Sequence, residues 1–489
     1  MKTMSTLRTA LILAMVFCFV GAQGHAQSPA LHPGNGVSQQ DLESGELSNA
    51  NVLSCSPAPC VLPPTQASEG GAEAADAPVA ADPLNPQHLL VGSSDSNCPY
   101  PAGFHLSANG GGSWKHVCMN TFFYQGYELS PVGQPMLGYD RNGVAYIAAL
   151  YISDGPAVAA FQKSGDGVTW STPAVAMSAK NAAPSESLLT VDTSPQSPWV
   201  NSIYVSAIFL PAQFGNKDQV VVAHSNDGGA SWKQVAVAPP DPFPASDDFT
   251  NLTVGKDGTV YLTWQHCLGT GPGAACGNHK AYMLFSKSTD GGNHWSAPTV
   301  MASITVAPTP CHCGTGVLPN TNNIRVYNYP AIGVDNSNGP YAGNLYAVMY
   351  SWTGTYMRVG VVRSTDGGST WFKPVPVAPP SANHDQFFPW LSVSPTGLVG
   401  VSWLDRRNDP ANIDYQAFAT ISSNGGKSFQ PDVQLTTALS NPNVNGFIDN
   451  LWMGDYTGNT WAGPNFVAAW MDSSNGVDMQ VMVGGIRLK

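Results

Sequence analysis

The stretch Ser364-Thr365-Asp366-Gly367-Gly368-Ser369-Thr370-Trp371 constrains this chain more than any other, because it recurs. Asp366 is placed to accept backbone N–H bonds inside a tight turn, and the paired glycines supply the positive φ such a turn often needs. Val359 to Val362 before it and Trp371 after it read as the arms of a β-hairpin, with Trp371 as an apolar plug beneath. Ser288 to Trp295 and Ser225 to Trp232 keep the pattern. Ser107 to Trp114 carries Asn109 for the Asp, and Ser422 to Phe429 carries Asn424 for the Asp and Phe429 for the Trp. Ser164 to Trp170 is one residue short. Six copies at intervals of roughly 55–75 residues mark a repeat architecture, in which each unit buries its faces against its neighbours.

A second repeat counts differently. Apolar strand openings that end near Asp, Asn or Gly occur at Val79–Asp82, Met136–Asp140, Leu188–Asp192, Asn251–Val254, Ala331–Asp335, Trp390–Val393 and Asn450–Asp455. Each is followed by a strand rich in Val, Tyr and Trp, such as Val260 to Gln265 or Val399 to Trp403. There are seven openings against six turns, and the last unit has no room for a turn and fourth strand of its own. A ring can close by pairing strands from both chain ends, which removes exposed edges, and a strand from residues 50–62 could complete the last unit.

The turns resemble the Asp-box (BNR) repeats of the sialidase superfamily of β-propellers, over residues 79–489. The resemblance implies an all-β propeller with six Asp-box hairpins. Seven blades are expected from the openings, with six, as in the sialidases, as the alternative. It also implies that each Asp box joins the third and fourth strands of a blade, on the face away from an active site. Sialidases pair a Tyr nucleophile with a Glu, use an Asp as acid/base, and hold a carboxylate with three Arg. Here no Arg-Ile-Pro motif precedes the first box, and no Arg precedes it after the leader. The chain therefore resembles secreted bacterial sialidase-like proteins without the full sialidase catalytic pattern.

Residues 1–26 read as a secretory signal: Lys2 and Arg8, the apolar run Ala10 to Val20, then Gly24-His25-Ala26. Residues 27–78, rich in Pro, Ala and Ser, read as a linker or wrapping arm, and 79–489 as the propeller. The expected location is outside the cytoplasm, secreted or periplasmic, with no membrane span. The net charge of -12 disfavours nucleic acid and anionic membrane as partners. The partner expected is a glycan or polysaccharide, and the chain is expected to be a monomer. The eight cysteines outside the leader suit local disulfides in an exported protein, among them Cys98 with Cys118 and crossing pairs within Cys267, Cys276, Cys311 and Cys313. His266, His279 and His312 beside the latter group keep a metal as the alternative.

The longest loops, Met119–Pro135, Gln265–Lys280 and Ala302–Pro330, fall on the rim opposite the Asp boxes and suggest a binding face there. The candidate catalytic residues on that rim are Asp405, Glu128, Glu186 and Tyr456, with Tyr456 placed within a strand. Candidate ligand-binding residues are Arg406, Arg407, Arg325, Arg358, Asp409, His384 and Asp385. The densest cluster, Asp405-Arg406-Arg407-Asn408-Asp409, reads either as an Arg-fork ligand site or as a buried network that locks its loop. No cofactor is required by the sequence. His384-Asp385 and Asp247-Asp248 could hold a cation such as Ca2+, or could cap strand entries. Two function classes follow: a glycoside hydrolase or lyase acting on an extracellular glycan, and a non-catalytic propeller that binds glycan or protein.

Overall fold

A computed structural model describes residues 61–211, 218–240, 245–268, 280–308, 316–379, 384–447 and 452–488. These residues form a seven-bladed β-propeller, each blade an antiparallel sheet of four core strands. In the third blade the strands run from the axis outward as Ala182–Val191, Ile203–Pro211, Gln219–Ser225 and Lys233–Ala236. The other blades repeat that order, and the innermost strands are Val79–Ala81, Met136–Tyr139, Ser246–Val254, Ala331–Val334, Gln386–Val393 and Gly458–Ala462. They ring a central channel with a cavity of about 360 Å3, lined by residues from every blade, from Val79 and Leu137 to Asn251, Ser392 and Thr460.

The chain ends close the ring. Val61–Gln66 is the outermost strand of the last blade and pairs with Gln480–Ile486, Val61 opposite Ile486 and Gln66 opposite Met482. This strand shares only Val61 and Leu62 with the 50–62 stretch expected to supply it and runs on to Gln66; residues 50–60 fall outside the described residues. Residues 67–77 are stitched down as well: Ala67 N donates to Val481 O at 2.8 Å, and Met479 N donates to Glu73 Oε2 at 2.7 Å. The last third of the stretch read as a linker or wrapping arm is thus paired with the propeller. Its Pro and Ala content suits an edge strand, where an N–H is not needed on the open side.

The repeated turns join third and fourth strands on one face. In Ser364–Trp371, Ser364 Oγ donates to Asp366 Oδ1 at 2.8 Å and accepts from Gly368 N at 3.0 Å. Asp366 Oδ1 also accepts from Thr370 N at 2.9 Å, so one carboxylate pins both sides of the hairpin. The copy one residue short closes a tighter loop, with Gly167 N rather than the next residue bonding Ser164 Oγ. Each Trp plug packs on the preceding blade: Trp371 meets Phe285 edge-on at 5.5 Å and Trp232 meets Phe161 at 5.4 Å. In the turns at Gly229 and Gly368 the second glycine makes room for this. A Cβ on Gly368 would lie 2.2 Å from Phe285, at a φ of +85°. The turns are therefore joints between blades as well as hairpin ends.

Candidate active site at the axial mouth

On the face opposite those turns, the inner strands share a distortion. Register shifts interrupt three of them, between Ser185 and Leu188, Asp248 and Asn251, and Phe387 and Trp390. At each bulge a non-glycine residue takes positive φ: Glu186 at 53°, Phe249 at 61° and Phe388 at 46°. Asp76, at 59°, and Gln134, at 54°, do the same just before the first and second inner strands. Such backbone is costly for residues with a Cβ, and a bulge re-aims a side chain out of the sheet. Here it turns successive side chains toward the axis.

Four carboxyl groups gather there: Asp76, Glu186, Asp248 and Asp455. Asp76 is fully buried and accepts from Ser94 Oγ at 2.7 Å and Asp455 N at 2.7 Å. Glu186 Oε2 accepts from Phe249 N at 2.7 Å, and Glu186 N donates to Gln134 Oε1 at 2.9 Å, so the bulges of neighbouring blades hold each other. Asp248 accepts from Ser246 Oγ, and Asp455 from the indole of Trp452. Glu186, Asp248 and Asp455 keep some surface open although protein crowds them on all sides, the mark of groups lining a deep depression.

That setting works against ionisation. Burial and the charge of Asp455 push the Asp76 carboxyl up to about 8. Burial and the Asp248 charge push Glu186 well above the usual carboxylate range. Asp248 rises to about 7, chiefly through burial. Asp455 rises only to about 6, because the Arg325 guanidinium and the Trp452 indole partly offset its burial. The mouth therefore holds protonated and ionised carboxyls side by side near neutral pH.

One cation faces them. Arg325, in the short strand Arg325–Val326, has its pKa raised by Tyr327, Asp455, Glu186 and Asp76 against the effect of its own burial. Its Nε is buried without a partner, and among the described residues its side chain makes no hydrogen bond or ion pair. Tyr327 and Tyr329, more than nine-tenths buried, likewise have hydroxyls with no hydrogen-bond partner among the described residues. Aromatic rings wall the site: Phe249 packs on Tyr327 at 4.6 Å and on Tyr329 at 5.1 Å, and Tyr456 lies 5.2 Å from Tyr329 and 5.9 Å from Trp390.

Of the residues singled out from sequence, Glu186, Arg325 and Tyr456 come together here. Tyr456 is not within a strand as expected; it precedes Gly458–Ala462, and its hydroxyl donates to Pro135 O at 2.6 Å. Glu128 lies apart, exposed on the hairpin Phe122–Tyr124/Tyr127–Pro131, where it accepts from Thr121 Oγ1. Asp405, Arg406, Arg407, Asp409 and Asp385 form one network on the sixth blade. Arg406 is fully buried, bonded to Asp385 Oδ2 at 3.2 Å and to the carbonyls of Pro319 and Asn412. Arg407 bridges Asp405 and Asp432 at 2.5 Å each, over the Phe418 ring. Asp409 caps its own loop through the N–H groups of Ala411, Ile413 and Asp414. Arg358 is buried in the strand Met357–Ser364, and His384 lies half-buried beside Asp385. The network shares no hydrogen bond or ion pair with the axial carboxyls among the described residues.

Asp76, Asp455, Tyr327 and Tyr329 are not among the residues singled out from sequence, where Asp248 appears only with Asp247, as a cation ligand or a strand-entry cap. The available signal was position: Asp76 and Asp248 sit a few residues before an apolar strand opening, Asp455 ends one, and Tyr327 and Tyr329 lie in the long Ala302–Pro330 loop.

Cys98 and Cys118 are joined, as expected, with Cα atoms 5.5 Å apart. Cys267 is disulfide-bonded too, whereas Cys55, Cys60, Cys276, Cys311 and Cys313 lie outside the described residues. Among the described residues, no helix is long and apolar enough to cross a membrane.

No family model matches the chain, and no curated protein matches it. Solved structures do. The intramolecular trans-sialidase of Ruminococcus gnavus is 12% identical, with 71% of this chain and 92% of that one covered and a TM-score of 0.46. An α-L-arabinofuranosidase of Fusarium graminearum is 10% identical over 88% of this chain and 98% of its own, at a TM-score of 0.45. A polysaccharide lyase described as an ulvan lyase is 11% identical over 93% and 95%, at 0.46.

Proposed function

We propose that this protein is a secreted carbohydrate-active enzyme that cleaves glycosidic linkages of an extracellular glycan at the axial mouth. The observation that carries the reading is the Glu186 carboxyl, set in the axial depression, where burial and the Asp248 charge favour its protonated form. It stands in the same depression as Asp455, whose ionisation Arg325 favours. A proton donor beside an ionised carboxylate is the pair glycoside cleavage needs. Glu186 gives its proton to the leaving oxygen. Asp455 acts as the base or nucleophile, and Arg325 with the Tyr327 and Tyr329 hydroxyls orients sugar oxygens. The aromatic walls suit stacking against the apolar faces of sugar rings.

Asp-box-like turns support a sialidase-like propeller, but among the described residues Arg325 is the one Arg whose charge acts on the axial carboxyls, where a sialidase carries three. The Cys98–Cys118 disulfide fits a location outside the cytoplasm. The test is release of reducing ends from a panel of extracellular polysaccharides by the wild type, Glu186→Gln and Arg325→Ala. Turnover lost in Glu186→Gln, with the fold intact by circular dichroism, is the expected result. An unsaturated product seen by ultraviolet absorbance would point to a lyase. Arg325-dependent retention on a glycan gel without cleavage would leave a binding protein.

A further inference from the structure

Behind the first inner strand lies a second polar cluster that the axial site does not use. Ser93, Ser94 and Asp95 end the strand Leu89–Asp95, and strand alternation sends Ser94 one way and Ser93 and Asp95 the other. Ser94 holds Asp76 of the mouth. Asp95 faces His105 and His116, which sit directly opposite each other on the strands Gly103–Ser107 and Lys115–Cys118. Asp95 and His105 are wholly buried, and the His116 side chain is 14% exposed. Asp95 Oδ2 lies 3.6 Å from His105 Nε2 and 3.9 Å from His116 Nδ1, and the two Nδ1 atoms are 3.2 Å apart. No Lys or Arg pairs with Asp95 among the described residues; besides Ser93 Oγ at 3.3 Å and the Asn97 N–H, the buried carboxyl faces the two imidazoles.

We propose that Asp95, His105 and His116 bind a divalent transition-metal ion, with Zn2+ the ion best suited to two imidazoles and one carboxylate. Their ligand atoms lie within 4.8 Å of one another. Bonds of zinc to nitrogen and oxygen near 2.0–2.1 Å put ligand atoms roughly 3.3 Å apart, so the two Nδ1 atoms, 3.2 Å apart, already have that spacing and the Asp95 carboxyl closes on them from within 4.8 Å. The supporting contacts are in place. His116 Nε2 lies 3.2 Å from Cys98 Sγ and 3.0 Å from Cys118 Sγ, and a disulfide sulfur has no proton and can only accept. The proton thus belongs on Nε2, leaving the Nδ1 lone pair aimed at Asp95 and His105. His105 Nε2 meets Ser93 Oγ at 2.8 Å, and Asp95 Oδ1 accepts from Asn97 N at 2.8 Å, which fixes the other two. Burial keeps His105 unprotonated, as a ligand must be. The metal would tie three strands of the first blade together directly behind the serine that holds Asp76.

The test is isothermal titration of the full oxidised chain with Zn2+, after chelation and buffer exchange, alongside thermal unfolding with and without the ion. The wild type should take up one equivalent and unfold at a higher temperature when loaded. His116→Gln, at the partly open ligand, and Asp95→Asn should lose affinity by at least the roughly 10- to 100-fold that loss of a supporting partner costs, and should lose the thermal shift. If Asp95→Asn does not fold, His116→Gln decides. Wild type that takes up no Zn2+, or His116→Gln that takes it up equally well, would overturn the proposal. The second result would mean that the ion binds elsewhere.

Discussion

Asp227 stands at the tip of a hairpin on one face of the propeller, and Asp76 at the axis on the other. The first is open to solvent and accepts from Ser231 Oγ, Ser231 N and Ser225 Oγ, which bring its carboxyl down to about 2. The second is buried beside Asp455 and rises to about 8. The pattern repeats across each face: Asp166 and Asp290 fall to about 2, while Asp248 and Asp455 rise to about 7 and 6. The difference is not in the side chain but in what the backbone offers it. A tight turn points several N–H groups at one carboxylate and leaves water around it. A bulge turns a carboxyl into a crowded depression with one hydrogen bond or two and like charges nearby. One face therefore uses its acids to hold the hairpins, and the other holds acids ready to exchange protons.

The largest effect should come from the mouth. Glu186→Gln keeps the shape and removes the proton, and turnover on a cleaved glycan should drop about 10²- to 10⁴-fold while the unfolding midpoint stays near wild type. A comparable loss of stability instead would move Glu186 to the structural side of the comparison.

Next is Arg406→Ala, on the same rim but within the buried network. It leaves Asp385 without its cation and should cost about 3–5 kcal/mol in denaturant unfolding. This variant separates charge that supports the rim from charge that works at the axis. A stable Arg406→Ala protein with altered glycan turnover would erase that distinction.

Gly368→Ala probes the opposite face. The φ of +85° and the 2.2 Å approach to Phe285 should together cost about 2–4 kcal/mol, with no change in turnover per folded molecule.

The smallest and broadest effect is on pH dependence. Turn aspartates bind fewer protons folded than unfolded between about pH 4 and 2, so their stabilisation is present above pH 4 and is lost as the pH falls toward 2. For Asp76 the sign reverses. The folded chain binds more protons between about 3.8, the ordinary value for an aspartate, and about 8, so stability falls as pH rises through that window. Asp76→Asn, which resembles the protonated acid, should flatten the alkaline side of the curve and leave the acid side unchanged. Denaturant midpoints from pH 3 to pH 9 measure both slopes.

Much of this fold was legible in the sequence because its two repeats report different strands. The Ser-x-Asp turns mark third and fourth strands and the apolar openings mark first strands, so seven against six implied closure by the chain ends. Closure itself blurred one boundary: Val61–Gln66 carries two prolines and no alternating pattern, and looks like a linker until it has a neighbour to pair with. The site was legible only in part. Glu186 stood out because Glu is scarce, and Arg325 because it lies in a long rim loop. Asp76 sits in Ala/Pro-rich sequence, and its role depends on its positive φ and on Asp455, almost a full circuit of the ring away in sequence. No local pattern encodes that meeting. The Asp405–Asp409 cluster drew notice by charge density, whereas burial and pairing decide what charge does, and neither shows in composition.

The claim that the two faces set the same acid in opposite directions can be measured by carboxyl 13C NMR titration from pH 2 to pH 9, with Asp227→Asn, Asp76→Asn and Glu186→Gln to assign signals. The account predicts that the signal lost in Asp227→Asn titrates near 2, that the one lost in Asp76→Asn titrates near 8, and that the one lost in Glu186→Gln titrates well above the ordinary carboxylate range. Axial carboxyls that titrate near 4, like free side chains, would contradict it and remove the proton donor from the mouth.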